Sequence, residues 1–405
     1  MTKAISEIAN GAGGNVFYYL RGRVALCALL RSLNLQPGDE VLLQAFTCLA
    51  VPSPIMGLGL KPVYVDIDPD TCNMNPESLR TRITPRSRVL LVQHTFGIPA
   101  PMRAILSLAR KHGLVVIEDC CHVLGSRYEG RALGEFGAAA FHSYEWGKPV
   151  IIGVGGAAVI HSESILKAVR SSYPEYRSPR ARDVAVVNLQ YVAHALLRRP
   201  ALFWTVREAY RFLSKSGLIV SSFRAEEFEG RLNREYETRM PDGLRRRLSV
   251  KSSPARVTRS IEHRTRLGRR YERFMRESGL KMAIPPAGAE TVFLRFPLYV
   301  LDKAKVLELA RDGRIEMGDW FSSPVHPLPP DQWHVVGYTG GSCPVAERLS
   351  NTVVTLPVTE AVGPRDMEKT LAFLAKLADA GLLETRPARS MKEVSALQPA
   401  PGARQ

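Results

Sequence analysis

Short apolar runs alternate with longer amphipathic stretches between residues 15 and 160. The apolar runs are rich in Val, Leu, Ile and Ala, and they predict strands at 40–45, 62–66, 89–93, 114–118, 138–143 and 157–161. Between them, apolar residues recur at helical spacing, which predicts helices at 24–33, 49–58, 76–83 and 101–112. This alternation is typical of an α/β fold, in which a mostly parallel sheet carries helices on both faces.

The pattern changes after residue 161. Residues 162–240 have the composition of a basic helical insert, with amphipathic spacing at 190–213. Residues 251–384 predict a smaller C-terminal α+β domain, with helices at 256–277, 304–312 and 365–380 and strands near 291–299 and 353–355. The large domain is expected to comprise 1–161 and part of 162–250. The polar, Pro- and Ala-rich tail at 385–405 is expected to be disordered.

Positive charge is concentrated in one part of the chain. The formal net charge is +16, and residues 167–276 hold 26 Lys and Arg against 11 Asp and Glu, an excess of 15. Nucleic acid, an anionic membrane face or a phosphorylated substrate could attract this charge, and a solvated basic surface would also account for it. Because we find no helix-turn-helix and no basic stripe with interleaved aromatic residues, nucleic acid is not expected as a partner.

The cysteines and the apolar segments bear on where the protein works. The six cysteines fit no metal-ligand spacing, so no metal site is expected and a reducing compartment is indicated. No stretch of 18 apolar residues and no signal-peptide core occurs. The protein is therefore expected to be cytoplasmic, with weak peripheral contact with the anionic inner membrane face as a further option.

Lys148 is the leading candidate for a catalytic residue. It follows Ser143 by five residues and precedes the run Gly153-Val154-Gly155-Gly156, and an apolar run upstream ends in Glu118 and Asp119. Pyridoxal phosphate needs an amine for its aldehyde, an anion beside its ring nitrogen and donors for its phosphate. Lys148 and Asp119 could supply the first two, with a surface lysine and a helix N-cap as the alternatives. Glu118 alternates away from Asp119 and is the weaker candidate.

Further residues could complete such a cofactor site. His122 could contact the ring, although a histidine near a helix start is often structural. Ser143 could offer its hydroxyl to the phosphate. Gly22, Arg23 and Val24 open a predicted helix, whose free N–H groups can bind phosphate, and Arg23 could add a positive charge there. A glycine before a helix also occurs without any ligand.

Many short segments, in a fixed order, resemble the DegT/DnrJ/EryC1/StrS family of sugar aminotransferases over roughly residues 15–160 and 255–380. The resemblance is carried by Pro37-Gly38-Asp39-Glu40-Val41, Pro62-Val63-Tyr64-Val65-Asp66-Ile67-Asp68, Ile117-Glu118-Asp119-Cys120-Cys121-His122, Gly130-Arg131-Ala132-Leu133-Gly134, residues 143–156, Cys343-Pro344-Val345-Ala346-Glu347-Arg348-Leu349-Ser350 and Thr355-Leu356-Pro357. It implies an aspartate aminotransferase-like large domain and a homodimer with cofactor sites at the subunit interface.

The resemblance also implies roles for single residues. Lys148 would bond the aldehyde of pyridoxal 5'-phosphate, which becomes pyridoxamine phosphate during turnover, and Asp119 would pair with the ring nitrogen. His122 would lie beside the ring, while Ser143 and the turn at 22–24 would hold the phosphate. The usual reaction in the family is amination of a ketosugar carried on a nucleoside diphosphate, typically with glutamate as amino donor.

Several positions depart from the family pattern. Arg21-Gly22-Arg23 replaces the usual Ser-Gly-Thr, and Cys48 stands where an aromatic residue commonly stacks on the ring, so Cys48 is kept as a cofactor-binding candidate. Val154 replaces a glutamate, and Glu237 replaces an asparagine that commonly reaches the phosphate of the partner subunit. The basic insert is also longer than the resemblance would lead us to expect.

The sequence therefore predicts a pyridoxal phosphate-dependent aminotransferase that aminates a nucleotide-linked ketosugar, in cell-surface polysaccharide or secondary-metabolite biosynthesis. Two alternatives stay open. One is an aminotransferase for a lipid-linked or other non-nucleotide carbonyl substrate, and the other is a non-catalytic regulatory or scaffold protein that binds the cofactor. For the basic insert, packing against the partner subunit or around the entrance for a phosphorylated substrate is favoured over docking on an anionic membrane.

Overall fold

The computed structural model describes residues 14–197, 199–215, 227–228 and 231–386. Its strands are β1 (Val16–Tyr19), β2 (Glu40–Gln44), β3 (Thr47–Cys48), β4 (Lys61–Val65), β5 (Ser87–Gln93), β6 (Val115–Asp119), β7 (Arg127–Tyr128), β8 (Arg131–Ala132), β9 (Ala139–Ser143), β10 (Gly156–Ile160), β11 (Ala289–Glu290), β12 (Arg295–Tyr299), β13 (Val325–His326) and β14 (Val353–Pro357). Half of them form one sheet, and the others form smaller sheets of two or three strands.

The α-helices lie between and after these strands. They are α1 (Gly22–Arg31), α2 (Pro52–Gly57), α3 (Pro76–Arg82), α4 (Met102–Lys111), α5 (Glu163–Ser172), α6 (Ala181–Leu197), α7 (Phe203–Lys215), α8 (Asp242–Lys251), α9 (Pro254–Glu277), α10 (Lys303–Asp312), α11 (Pro344–Thr352) and α12 (Pro364–Asp379). Short 3-10 helices occur at Thr95–Gly97, Tyr173–Glu175, Pro200–Leu202, Arg234–Glu237 and Pro330–Val336. No helix within the described ranges is long and apolar enough to cross a bilayer.

The main sheet has seven strands in the order β1-β10-β9-β6-β5-β2-β4. All neighbouring pairs from β9 to β4 are parallel, whereas β10 runs antiparallel to both β9 and β1. The predicted mostly parallel α/β fold is therefore confirmed. The six predicted strands agree with the structure to within two residues at each end.

Strand β1 was not predicted from the sequence. Its four residues, Val16 to Tyr19, are bulky and are mostly buried, without the polar alternation that marks a half-exposed strand. Tyr19 pairs with Gly156 at the start of β10. Since β1 is antiparallel to β10, it runs in the same direction as β9 and leads the chain to the edge of the sheet where β9 ends.

Successive residues of the central strands pack into different hydrophobic clusters. In β2, Val41 and Leu43 join the cluster that contains α1, whereas Leu42 joins the cluster that contains Ile105 of α4. This alternation places helices on both faces of the sheet, as the apolar runs predicted. Helix α1 is buried from Gly22 to Leu30 because it is apolar around most of its circumference.

The C-terminal part has its own small sheet, in which β12 and β14 pair antiparallel. Helix α7 of the basic insert packs beside it: Trp204 Nε1 donates to the carbonyl oxygen of Ile315 at 2.8 Å, and Arg207 pairs with Asp319 at 2.7 Å. The boundary near residue 250 between large and small domains stays a prediction. Thr385 still pairs with Leu280, and the Arg386 N–H donates to the carbonyl oxygen of Gly279 at 3.0 Å. Residues 387–405 of the predicted disordered tail lie outside the described residues.

All six cysteines are free thiols, and only Cys48 is partly exposed. Burial raises the thiol pKa of Cys27 to about 11 and those of Cys72 and Cys343 to about 12. Burial also raises the pKa of Cys48, and it holds those of Cys120 and Cys121 well above the usual thiol range.

Candidate active site

The predicted site residues meet at one edge of the main sheet. Asp119 is the last residue of β6 and pairs with Phe141 of β9, and Ser143 ends β9 opposite Gly156. Because β1 runs in the same direction as β9, the turn at 21–23 and the start of α1 reach the same edge. In open parallel sheets, ligands bind at the carboxyl ends of the strands, and the site is at that end.

Two glycines let the backbone come close at this edge. A Cβ on Gly22 would lie 3.0 Å from Cβ of Ser143 and 3.1 Å from the carbonyl oxygen of His142. A Cβ on Gly156 would lie 2.3 Å from the carbonyl oxygen of Arg21. A Cβ at Gly156 would clash with the Arg21 backbone, and one at Gly22 would crowd the end of β9, so these glycines let α1 start directly against β9. The N–H groups at a helix start favour an anion there.

The two arginines of this turn pair with carboxylates. Arg21 is 1% exposed and contacts Glu145 at 2.7 Å and Glu235 at 3.1 Å. Arg23 forms a buried ion pair with Glu227, whose carboxylate also accepts from the Tyr236 hydroxyl at 2.8 Å. The guanidinium that we expected to serve the phosphate therefore already has an anionic partner.

Because the Arg23 guanidinium is paired, the backbone N–H groups of this turn are the main candidates for binding a phosphate. The N–H of Val24 donates to the carbonyl oxygen of Arg21 at 3.1 Å, so this predicted donor is already used within the helix start. Arg21, in the N-cap position, forms no side-chain capping bond. Ser143 is 8% exposed and its Cβ lies beside Gly22, and the role of its hydroxyl in phosphate binding stays a prediction.

Asp119 is 5% exposed and accepts a hydrogen bond from the Cys121 N–H at 2.9 Å. Burial raises the pKa of Asp119, and the Cys121 bonds and the charge of Lys148 partly offset that rise. A buried carboxylate of this kind is most stable beside a cation. A protonated ring nitrogen would be such a cation.

Glu118 has a structural role instead. Its carboxylate accepts from the N–H groups of Gly134, Phe136 and Gly137 at 2.8, 2.6 and 2.8 Å. Burial would raise the pKa of Glu118, but His94 and the N–H groups of Gly134 and Gly137 outweigh it and lower the pKa. His94 Nδ1 accepts from the Ala100 N–H at 3.1 Å, so its proton is on Nε2 and points to Glu118 at 3.2 Å.

Glu118, His94 and Cys120 lie close enough together to suggest a metal site. However, the His94 nitrogen that faces this group carries a proton, and the Glu118 oxygens are already bonded. The cluster is therefore a hydrogen-bond network that fixes the turn at 134–137, and it does not suit a cation.

Lys148 lies in the loop between β9 and β10, half-buried, with its N–H donating to the carbonyl oxygen of Glu145 at 3.2 Å. Its charge reaches three of the predicted site residues, because it opposes the rise in the pKa of Asp119 and of Cys48 and contributes to the lowered pKa of His122. Lys148 Nζ lies 5.3 Å from the ring centroid of Trp320. The structure thus brings the lysine, the carboxylate and the histidine together.

His122 is buried, and both burial and Lys148 hold its pKa well below the usual histidine range. Its Nδ1 accepts from the Phe96 N–H at 3.3 Å. The imidazole is therefore neutral, with its proton assigned to Nε2 by this bond. A neutral imidazole can pack flat against a protonated aromatic ring without repelling its positive charge.

Sequence reasoning missed an aromatic cluster around His122. Phe96 and Trp320 are nearly parallel to its ring, with interplanar angles of 2° and 13° and centroids 6.4 and 5.9 Å away. Phe321 contacts Phe46 and Phe96, with centroids 4.9 and 6.1 Å apart. Phe46 and Phe96 follow β2 and β5 and have positive φ angles of 64° and 57°. Bulky residues rarely adopt this conformation, and such strain concentrates at functional sites.

The departures from the expected pattern occupy defined places. Cys48 ends β3, beside β13, and lies near Lys148. Val154 is 4% exposed and belongs to a cluster with Met240 and Ile152. The carbonyl oxygen of Glu237 accepts from the Arg177 N–H at 2.8 Å. The residues at these three positions leave the Lys148 amine, the Asp119 carboxylate and the helix start at Gly22 in place.

These residues fit pyridoxal phosphate. The amine of Lys148 suits its aldehyde, the buried Asp119 suits its ring nitrogen, and the helix start beside Ser143 suits its phosphate. When bound, the cofactor supplies an electron sink for proton removal from a bound amine. Lys148 would hold and move that proton, and Asp119 would keep the ring nitrogen charged.

Comparison with known proteins agrees with this chemistry. A sequence model of the DegT/DnrJ/EryC1/StrS aminotransferase family matches residues 20–179 and 250–374. The chain is 26% identical over 360 residues to a pleiotropic regulatory protein of Geobacillus stearothermophilus, covering 88% of this chain and 81% of that protein. It is 34% identical over 163 residues to UDP-N-acetyl-3-dehydro-alpha-D-glucosamine 3-aminotransferase of Acidithiobacillus ferrooxidans, which covers 40% of this chain and 43% of that enzyme.

Solved structures share the fold. The aminotransferase TlmJ of Streptoalloteichus hindustanus superposes with a TM-score of 0.69 at 20% identity, covering 94% of this chain and 91% of TlmJ. NtdA of Bacillus subtilis, solved with bound pyridoxamine phosphate, superposes with a TM-score of 0.65 at 20% identity, covering 90% of this chain and 73% of NtdA. The family match covers well over half of the sequence, so the chain belongs to the DegT/DnrJ/EryC1/StrS aminotransferase family and is a pyridoxal phosphate-dependent enzyme.

Proposed function

We propose that the protein transfers an amino group from an amino acid, such as glutamate, to a nucleotide-linked ketosugar. The observation that carries this proposal is the meeting of Lys148, buried Asp119 and the Gly22 helix start at one edge of the sheet. Relatives named for UDP- and GDP-linked sugars support a sugar substrate. The product would supply cell-surface polysaccharide or secondary-metabolite biosynthesis.

Each residue has a defined task in this proposal. Lys148 binds the cofactor and moves the proton, which typically contributes a factor of about 10² to 10⁴ in rate. Asp119 keeps the ring nitrogen protonated, and neutral His122 packs beside the ring. The backbone at 22–23 and the hydroxyl of Ser143 hold the phosphate, while Cys48 borders the same space. Arg23 contributes through its pair with Glu227, which positions the turn.

We also propose a homodimer that works in the cytoplasm. Three apolar residues of α6, Leu189, Val192 and Leu196, are 72, 54 and 71% exposed and lie at positions i, i+3 and i+7 on one helix face. Exposed apolar faces of this kind commonly mark an interface. Contact with an anionic membrane, which would suit a lipid-linked substrate, is the competing role of this face.

The proposal is tested by following the cofactor through both halves of the reaction. Adding glutamate or glutamine to the pyridoxal phosphate form should remove its visible absorbance band as pyridoxamine phosphate forms. Adding nucleotide-linked ketosugars should restore the band and yield an aminosugar detectable by mass spectrometry. A non-catalytic regulatory protein would keep its band with every amino donor.

Lys148→Ala and Lys148→Arg form a matched pair of test variants. Alanine removes both the charge and the amine, whereas arginine keeps the positive charge beside Asp119 but supplies no amine for the aldehyde. Both variants should lose at least about a hundredfold in turnover and keep the circular dichroism of the wild type. Near-normal turnover in either variant would show that the site is assigned wrongly.

A further inference from the structure

A single buried amide links the two turns that follow β2 and β5. Gln93 is the last residue of β5, pairs in register with Asp119 of β6, and is 7% exposed. Its Nε2 donates to the carbonyl oxygen of Phe46 at 3.3 Å and to Thr95 Oγ1 at 2.8 Å. Its Oε1 accepts from the Thr47 hydroxyl at 2.7 Å. Gln93 therefore makes three hydrogen bonds at the end of the strand next to Asp119.

These partners leave the Gln93 amide one orientation. A carbonyl oxygen only accepts hydrogen bonds, so the side-chain atom that faces the Phe46 oxygen is the nitrogen, and the Thr47 hydroxyl donates to the oxygen. Each of the two turns contains a residue with a left-handed φ, 64° at Phe46 and 57° at Phe96. Bulky residues keep this conformation only where the surrounding structure fixes it. The amide binds the first of these residues directly and the residue just before the second.

Thr95 passes this restraint on to His122. Its Oγ1 also accepts from Gln44 Nε2 at 3.0 Å, and its N–H donates to Asn73 Oδ1 at 2.7 Å, so Thr95 is held on several sides. The next N–H along the chain, that of Phe96, donates to His122 Nδ1 at 3.3 Å. At this distance a small rotation of the turn would break the bond. The direction of the Phe96 N–H therefore depends on how Thr95 is held.

We propose that Gln93 is a positioning residue for the aminotransferase reaction, which fixes the tautomer and the position of the His122 ring. The inference rests on the proposed function, in which neutral His122 packs beside the cofactor ring. The effect of Gln93 on the imidazole passes through Thr95 and the Phe96 N–H. Because the amide is uncharged, it restrains both turns without placing a second charge next to Asp119.

The test removes each end of the hydrogen bond between Gln93 and Thr95. Gln93→Met keeps the length of the side chain without its polar atoms, and Thr95→Val keeps the shape of threonine without its hydroxyl. Each variant, folded by circular dichroism, should react with a saturating amino donor about tenfold more slowly in a single turnover, because small misplacements near the reacting atoms are costly in rate. The double variant should be about as slow as the slower single variant, because both changes remove the same bond.

A second readout does not depend on turnover. In the full chain freed of cofactor and carrying isotope-labelled histidine, nuclear magnetic resonance should report His122 as the neutral tautomer with its proton on Nε2. The His122 signals are assigned as those that His122→Gln removes. In Gln93→Met and in Thr95→Val, these signals should shift toward a mixture of the two neutral tautomers, because the Phe96 N–H no longer points steadily at Nδ1.

Two control variants should match the wild type in both measurements. Thr95→Ser retains the hydroxyl that accepts from Gln93. Tyr64→Phe removes a buried hydrogen bond elsewhere in the main sheet, which the Tyr64 hydroxyl donates to the carbonyl oxygen of Val336 at 2.9 Å. A general loss of buried hydrogen bonding would slow Tyr64→Phe as well, whereas the loss of His122 positioning would not.

A folded Gln93→Met variant with the wild-type rate would overturn the proposal, and so would a slower variant whose His122 signals are unchanged. Should Gln93→Met fail to fold, Thr95→Val compared with Thr95→Ser decides by the same two readouts, and a wild-type rate in Thr95→Val overturns the proposal. If the wild type reacts with no amino donor, the proposed function fails. The histidine signals then decide the role of Gln93 alone, and unchanged signals overturn that role too.

Discussion

Asp119 places a carboxylate where water hardly reaches, and its raised pKa has consequences for stability. In the protein without cofactor, the folded state holds the Asp119 proton more tightly than the unfolded chain does. The stability that this provides is present at low pH. It is lost as the pH rises from the ordinary aspartate value, about 4, through the raised value of the folded state.

Asp119→Asn removes this loss, because an amide does not ionise. In urea unfolding of cofactor-free protein at about pH 4, 5.5 and 7, chosen around the ordinary aspartate pKa, the variant should gain stability relative to the wild type as the pH rises. Other groups titrate alike in both proteins and cancel. Pyridoxamine phosphate should reduce the difference, because its ring nitrogen supplies the missing cation. If the difference in the free energy of unfolding between the two proteins does not change with pH, the pKa of Asp119 is not raised by burial.

The meeting of the candidate site residues at one edge of the sheet was predictable from the sequence, and their aromatic neighbours were not. Asp119 and Ser143 could be placed at strand ends because each closes an apolar run, and Lys148 was singled out because it lies between Ser143 and a glycine-rich run. Phe46, Phe96 and Trp320 looked like ordinary core residues, since an aromatic side chain has the same pattern in a core and in a ligand site. Only the positive φ angles of Phe46 and Phe96 and the ring geometry around His122 distinguish them.

Arg21 connects three elements: the start of α1, the loop that carries Lys148 and the short helix at Arg234–Glu237. Its guanidinium is buried, so its two carboxylate partners depend on it for compensation. The same principle explains why Arg23 and Glu227 occur together. The ion pairs therefore fix the turn at residues 21–23 relative to the loop that carries Lys148.

Arg21→Met should lower the free energy of unfolding by about 3 kcal/mol, because it removes the buried guanidinium that compensates the charges of Glu145 and Glu235. The matched control is Arg88→Met, whose partner Asp39 lies 3.8 Å away and whose side chain is 49% exposed. That control should lose less than about 1 kcal/mol. Adding Glu235→Gln to Arg21→Met should recover part of the loss. Equal losses in both single variants, measured by urea unfolding, would contradict this account.

The strands of the main sheet and the helices between them followed from periodicity, apart from β1. The six predicted strands and the helices between them matched because each has a continuous apolar run or a clear helical spacing. Four residues such as Val16 to Tyr19 carry too little pattern to be identified alone. The contacts that define β1, with Gly156 and its neighbours in β10, are about 140 residues away and are invisible to any local pattern.

At the scale of the whole molecule, the basic insert has two different faces. Helix α7 packs beside the small sheet through Trp204 and Arg207. Helix α6 leaves Leu189, Val192 and Leu196 exposed. Arg247 and Lys251 of α8 lie over the Tyr191 ring, 4.1 and 5.6 Å from its centroid, and so brace α6 from the side. A braced helix with an apolar outer face suits a second subunit.

Leu189→Glu combined with Leu196→Glu should therefore convert the proposed homodimer into monomers. Losing two buried leucine side chains should weaken association on the order of a thousandfold, visible by sedimentation velocity. Leu301→Glu, at a leucine that is 62% exposed outside the insert, should leave the dimer intact. If the double variant stays dimeric and instead loses co-sedimentation with anionic vesicles at low salt, the face docks on a membrane.

The raised pKa of every cysteine makes the chain convenient for site-specific labelling. Thiol reagents attack the thiolate, and at neutral pH these six side chains hold very little of it. A cysteine introduced at an exposed position such as Leu301 would react far faster than the native six. Fluorophores could thus be attached to report on the insert, the small sheet or the subunit partner, without first removing a single native cysteine.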